Sequence, residues 1–141
     1  MTTPSAFFHR ADLAALVLRL TLGIVLIAHG LLKIFVFTLS GTAGFFESVG
    51  FPGWAAYGVA PLELVTGVFL IAGYRAEWAA LLTLPVLLGA LWVHIGNGWL
   101  FTNAKGGWEF PAVLVLLAVG VALLGDGAYS LRKQLQQPHE E

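Results

Sequence analysis

The stretch 13-LAALVLRLTLGIVLIAHGLLKIF-35 decides what kind of molecule this chain makes. Between Leu13 and Phe35 only Arg19, His29 and Lys33 carry ionisable groups. A bilayer core needs about 20 mostly apolar residues in a helix, so this run is long enough to be a membrane span. Successive helical residues turn by about 100°, which puts Arg19, His29 and Lys33 in a sector of roughly 80°. Gly23 and Gly30 are read as part of the same stripe, where a missing side chain lets another helix approach. A charge in the membrane is costly, so the stripe should face a bundle interior or a wet cavity.

The rest of the chain agrees. Of 141 residues, 58% are hydrophobic and 11% charged, with a mean hydropathy of +0.84. A soluble domain carries about 25% charged residues. Net charge is −1, and no basic block suggests a nucleic-acid partner. Without cysteine there is no disulfide framework, thiolate metal site or thiol redox centre. Any electrons handled here belong to a bound cofactor, a substrate or a partner. At the N-terminus, Arg19 interrupts the early apolar run and no A-x-A-like site follows, so the segment reads as a retained span, not a cleaved signal.

Four windows qualify as spans: Leu13–Phe35, Tyr57–Gly73, Ala76–Gly96 and Phe110–Leu124. The expected fold is all-α, a four-helix integral membrane bundle forming one domain over residues 1–141. Only "YRAE" joins the second and third spans, which makes them an antiparallel hairpin. Pro61 and Pro85 fall inside spans, where neighbouring helices can compensate. Arg10, Arg75, Arg132 and Lys133 flank the spans on one side, against Lys105 and the bordering Lys33 on the other. The positive-inside rule then makes both termini cytoplasmic. Trp54, Trp99 and Trp108 fall at the outer interface and Trp78 at the inner one.

With that topology and a rise of about 1.5 Å per residue, His29 and Glu63 each lie roughly 9 Å below the outer surface. Lys33 is one turn above His29, His94 nears the outer end of the third span, and Glu109 caps the fourth. These five are the candidate catalytic residues: His29, Lys33, Glu63, His94 and Glu109. Mutual pairing is the least costly arrangement, Glu63 with His29 or Lys33 and Glu109 with His94 or Lys33. Arg19 lies deeper, to snorkel to the inner headgroups, bind backbone carbonyls or meet Asp126.

The first outer connection is too apolar for a solvated loop. "TAGFFESVG" (42–50) reads as a short interfacial helix, with Thr42 near its start and Gly50 as its stop. Phe45 and Phe46, with Trp99 and Trp108 from the second outer connection, are the candidate cofactor-binding rings. Aromatic walls around a few polar groups suit a small-molecule pocket. The tail "SLRKQLQQPHEE" reads as a cytoplasmic continuation of the fourth span, with no role for His139, Glu140 or Glu141. His9 likewise has none.

The blocks "LRLTLGIVLIAHGLLKIF", "GTAGFFESVGFP", "PLELVTGVFLIAGYRAEWAALL", "ALWVHIGNGW", "GGWEFPAVLVLLA" and "LLGDGAYSL", in this order, resemble the DoxX family of small bacterial inner-membrane proteins. The resemblance runs from about Ala15 to Leu131. It implies a four-span protein of the bacterial cytoplasmic (inner) membrane. It also implies a membrane subunit of quinone-linked sulfur oxidation, such as thiosulfate:quinone oxidoreductase, or a component of a membrane complex in oxidative-stress defence. Fold alone does not set chemistry.

Two functions stay open. The first is a quinone-reactive or quinone-docking subunit of a membrane oxidoreductase. His29 or Lys33 would donate to one carbonyl and His94 to the other, while Glu63 and Glu109 would pass protons. The second is a non-catalytic scaffold or small-solute carrier, its polar cluster serving as interhelical glue. A metal site from His29, His94, Glu63 and Glu109 is a weaker third: no E-x-x-H spacing supports it and Lys33 would repel a cation. Quinone is the expected cofactor. The lipid bilayer, a redox partner subunit and a further copy of the chain are the expected partners.

Overall fold

In the computed structural model residues 9–137 are described. The first residues of the N-terminal segment, and His139, Glu140 and Glu141, lie outside that range. Among the described residues every regular element is helical. Helix α1 spans Arg10–Leu31 and continues as a π-helical turn, Leu32–Val36. Helix α2 spans Leu39–Ser48, α3 Ala55–Ala72 and α4 Ala76–His94, the last ending in a 3-10 turn at Ile95–Asn97. Helix α5 spans Glu109–Leu124 and α6 Leu131–Gln136.

Helices α1, α3, α4 and α5 pack in a cycle: α1 on α3, α3 on α4, α4 on α5 and α5 back on α1. Small residues make that packing close. A Cβ on Gly23 would sit 2.9 Å from the Gly67 carbonyl oxygen, and one on Gly67 would meet the Gly23 oxygen at 2.9 Å. Backbones of α1 and α3 therefore touch where only hydrogen fits. The core between the helices is built from Leu22, Leu26, Leu70, Leu87, Leu114 and Val121 with Ala76, Ala79, Ala80 and Ala118.

Outside that thin core the helices stay apolar where a soluble protein would turn polar. Val17, Ile24, Val68, Leu82, Leu116 and Leu123 are all exposed. Three helical stretches, Arg10–Val36, Ala55–Ala72 and Ala76–Asn97, are long and apolar enough to cross a membrane, and no more than 33% of each is buried within the protein. The fourth, Glu109–Leu124, is apolar but shorter. Faces this apolar are satisfied by hydrocarbon, not by water.

At one end of the bundle Arg19 takes the place of a hydrophobic core. It is fully buried. Its guanidinium donates to the carbonyls of Leu70 and Ile71 at the end of α3, and to those of Asp126, Ala128 and Tyr129 beyond α5. Five donors in a planar fork meet backbone acceptors that a helix end leaves unpaired. Of the roles open to it, carbonyl binding is the one it adopts. Gly73 makes room: its φ is +70°, and a Cβ there would lie 2.8 Å from the Arg19 guanidinium carbon.

Around Arg19 the segment 125–130 is not a continuation of α5. Gly125 and Gly127 adopt positive φ, which breaks the helix and returns the chain across the bundle end. The Ala128 amide then donates to the Asp12 carbonyl, and the Asp126 carboxylate accepts from the Ala76 amide at 2.7 Å, capping α4 from a distance. Helix α6 starts afresh at Leu131, so the tail is a separate short helix capped by Ser130.

Candidate functional site

At the opposite end of the bundle the helices diverge around a cavity of about 430 Å³. Its deepest polar contribution comes from α3, which presents Glu63, 4% exposed. The π turn that ends α1 supplies the partner. Phe37 N–H bonds to the Leu32 carbonyl, and the extra residue in this turn carries Lys33 toward α3. Lys33 Nζ stands 3.0 Å from Glu63 Oε1 and 2.9 Å from Oε2. The carboxylate and the ammonium neutralise each other and lower the cost of burial for both.

Two histidines stand on the cavity wall. His29 Nδ1 lies 2.8 Å from the Val25 carbonyl oxygen, one turn back along α1. Its ring stacks on Phe110 of α5, with centroids 5.9 Å apart and planes at 30°. His94, at the end of α4, places Nδ1 3.1 Å from the Lys105 oxygen and 3.0 Å from the Gly106 oxygen. Asn97 donates to the same two carbonyls, so the loop between α4 and α5 is pinned over His94 from two sides. The loop itself is closed by Trp108 N–H to the Gly98 oxygen and Glu109 N–H to the Trp99 oxygen.

A roof comes from α2 and the turn after it. Thr38, at a φ of +62°, caps α2 by accepting from Gly41 N–H, and Thr42 Oγ1 donates to the Thr38 and Lys33 carbonyls. The helix therefore starts at Leu39, three residues before the segment read as helical, and ends at Ser48, ahead of Gly50, whose φ is +93°. It lays Phe45, Phe46 and Val49 over the cavity, with Phe51 against Phe46 at a ring distance of 6.3 Å.

The structure thus gathers His29, Lys33, Glu63, His94, Phe45 and Phe46 around one cavity. It does not bring Glu109, Trp99 or Trp108 into the lining. Glu109 is half-buried at the start of α5, and no described ion pair joins it to His94 or Lys33. Trp99 is 58% and Trp108 38% exposed. One position along α5 corresponds to about 100° of rotation, and that rotation turns Phe110, which the sequence analysis passed over, toward His29. The signal was the FP pair itself: Pro111 at the first turn fixes where α5 begins, and Phe110 and Pro111 line the cavity together. Among the described residues no three His, Asp or Glu side chains converge as a metal site would require.

Apolar helices with hydrocarbon-facing surfaces around a buried Lys–Glu pair define a helical membrane protein. Its family follows from the sequence: the DoxX family model matches residues 14–95, and the chain belongs to the DoxX family. It is 32% identical over 115 residues to the Bacillus subtilis (strain 168) protein named "Putative oxidoreductase CatD", covering 82% of this chain and 81% of that one. No solved structure matches it.

Proposed function

We propose that this DoxX-family chain is a quinone-docking or quinone-reactive subunit of a membrane oxidoreductase. The observation that carries the proposal is the cavity: about 430 Å³, walled by aromatic and aliphatic side chains, with His29, His94 and the Lys33–Glu63 pair as its few polar groups. Apolar pockets of about 300–1,000 Å³ with a small number of placed polar atoms are the form that small-molecule sites take. A quinone headgroup has the matching character, a flat ring with two polar atoms and an apolar tail. The oxidoreductase name carried by the relative CatD supports the same class. With no cysteine in the chain, electrons would reach the headgroup from a small reductant or a partner subunit.

The proposal includes a setting. Four spans would lie in the bacterial cytoplasmic membrane with both chain ends inside, since Arg10, Arg75, Arg132 and Lys133 cluster toward the Arg19 end and basic flanks stay cytoplasmic. The cavity then opens toward the outer leaflet, with α2 in the interface as its roof. The test is purification in mild detergent with chromatographic analysis of co-extracted quinones, and quinone binding to wild type and to His29→Ala. Co-purifying quinone with weakened binding in the variant supports the proposal, and no quinone binding by either protein ends it.

A second reading, a scaffold or carrier whose polar groups are glue, is favoured by one observation: Lys33 and Glu63 already satisfy each other across α1 and α3. Glu63→Gln separates the two. Both readings expect lower thermal stability, because Lys33 loses its buried partner. Only a site predicts that the folded variant also binds ligand differently, whereas a glue role predicts no change in ligand binding.

A further inference from the structure

The two histidines on the cavity wall are locked in the same tautomer, and that fixes which redox form of a ligand the site accepts. His29 Nδ1 faces the Val25 carbonyl at 2.8 Å, and His94 Nδ1 faces the Lys105 and Gly106 carbonyls at 3.1 and 3.0 Å. A carbonyl oxygen only accepts, so in each ring Nδ1 must carry the proton and donate it. In the neutral imidazole the other nitrogen, Nε2, then holds a bare lone pair. Among the described residues neither Nε2 has a hydrogen-bond partner, and both histidines line the cavity.

The cavity therefore offers two acceptors to whatever enters it. The donor side is poor. Among its ionisable lining groups only Lys33 carries free N–H capacity. Two of its three ammonium hydrogens point to the Glu63 oxygens, leaving one. Glu63 is held by Lys33 and is itself an acceptor. A quinone, with two carbonyl acceptors, would set acceptor against acceptor at both histidines. A dihydroxyarene presents two O–H donors, and each hydroxyl oxygen also accepts.

We infer that the cavity is built to bind the reduced, dihydroxy form of an aromatic redox ligand, a quinol, with its hydroxyls donating to Nε2 of His29 and His94. Phe110, already stacked on His29, extends that ring platform for the arene, and Phe45 and Phe46 cover it from the roof. The inference rests on the quinone-docking function proposed above, and it reverses the donor role that the sequence alone suggested for the histidines. Binding the reduced form places both phenolic protons against basic nitrogens, each held by a backbone carbonyl on its far side.

The test uses the full chain in lipid nanodiscs. Calorimetric titration under argon compares a short-chain benzoquinone, its quinol, and the dimethyl ether of that quinol, with empty nanodiscs subtracted. The quinol should bind at least about tenfold more tightly than either other compound, since a site that accepts a ligand hydroxyl rejects analogues without it. His29→Phe and His94→Phe should each weaken quinol binding while changing quinone binding less. Equal or tighter binding of the quinone, or an ether that matches the quinol, overturns the inference and leaves quinone docking standing. Binding of none of the three overturns both. Nitrogen-15 NMR of histidine-labelled protein gives a readout that no substitution disturbs: two neutral Nδ1–H rings are expected, and an Nε2–H tautomer at either position refutes the assignment.

Discussion

Lys33 and Glu63 form a bidentate ion pair, 3.0 and 2.9 Å between Nζ and the two carboxylate oxygens, that ties the π turn after α1 to the middle of α3. Both side chains are largely shielded, at 17% and 5% exposure. A pair in this setting behaves asymmetrically. Removing one member strands the other, which costs about 3–5 kcal/mol, while replacing both with apolar residues is often neutral. Lys33→Met and Glu63→Gln should each lower the thermal midpoint in detergent clearly, and Lys33→Met with Glu63→Leu should recover most of the loss. Additive losses in the double variant would show that the two residues do not act as a pair.

Phe110 and Glu109 are neighbours in sequence with opposite expected effects. Phe110 stacks on His29 and lines the cavity, whereas Glu109 lies outside the lining. Phe110→Ala should reduce the affinity of an aromatic ligand by about tenfold, the value of a lost ring contact plus its buried area. Glu109→Gln should leave affinity within about twofold, since a surface substitution away from the contact is worth under about 0.5 kcal/mol. Titration of both variants with the same ligand checks this, and a larger loss from Glu109→Gln would return the acid to the site.

That contrast also marks where the sequence runs out. The helices lie within a few residues of the apolar windows because length and hydropathy alone set them: α3 and α4 start at Ala55 and Ala76 against expected starts of Tyr57 and Ala76. The meeting of Lys33 with Glu63 was legible as one of two pairings, because depth along each helix follows from counting residues. Rotation about the helix axis does not. An error of one position turns the wrong residue inward, which is how Glu109 stood in for Phe110. Arg19 is a different case. Its acceptors lie 51 to 110 residues away and are backbone atoms, which leave no mark in the pattern of side chains. The same holds for the fold of the 98–108 loop, which takes Trp99 and Trp108 out of the lining.

Helix contact in the apolar middle of the bundle depends on which glycine is touched. A methyl group on Gly67 would lie 2.6 Å from an Ile27 side-chain carbon and 2.9 Å from the Gly23 oxygen, whereas Gly58 on the same helix has nothing within 4 Å. Gly67→Ala should destabilise by about 1–3 kcal/mol, as overpacking does. Gly58→Ala should stabilise by up to about 1 kcal/mol through the lost helix entropy of glycine. Thermal unfolding of the two variants side by side decides it, and equal effects would mean that α1 and α3 are not in backbone contact.

At the Arg19 end, stability should depend on buried hydrogen bonds and little on visible ion pairs. Arg19 serves five carbonyls while fully buried, and lysine, with three donors on a point charge, cannot reproduce a planar fork. Arg19→Lys should therefore cost at least about 3 kcal/mol, close to Arg19→Met, because several buried acceptors are orphaned in both. Asp126→Asn should be milder than Asp126→Ala, since an amide oxygen can still accept from Ala76 N–H at the start of α4. Lys133→Ala breaks only an exposed pair with Asp12, worth under about 1 kcal/mol, and its effect should vanish in high salt. Unfolding midpoints at low and high ionic strength order the five variants. A severe, salt-dependent loss at Lys133 beside a mild one at Arg19 would mean that this end is held by its surface charges and not by the buried guanidinium.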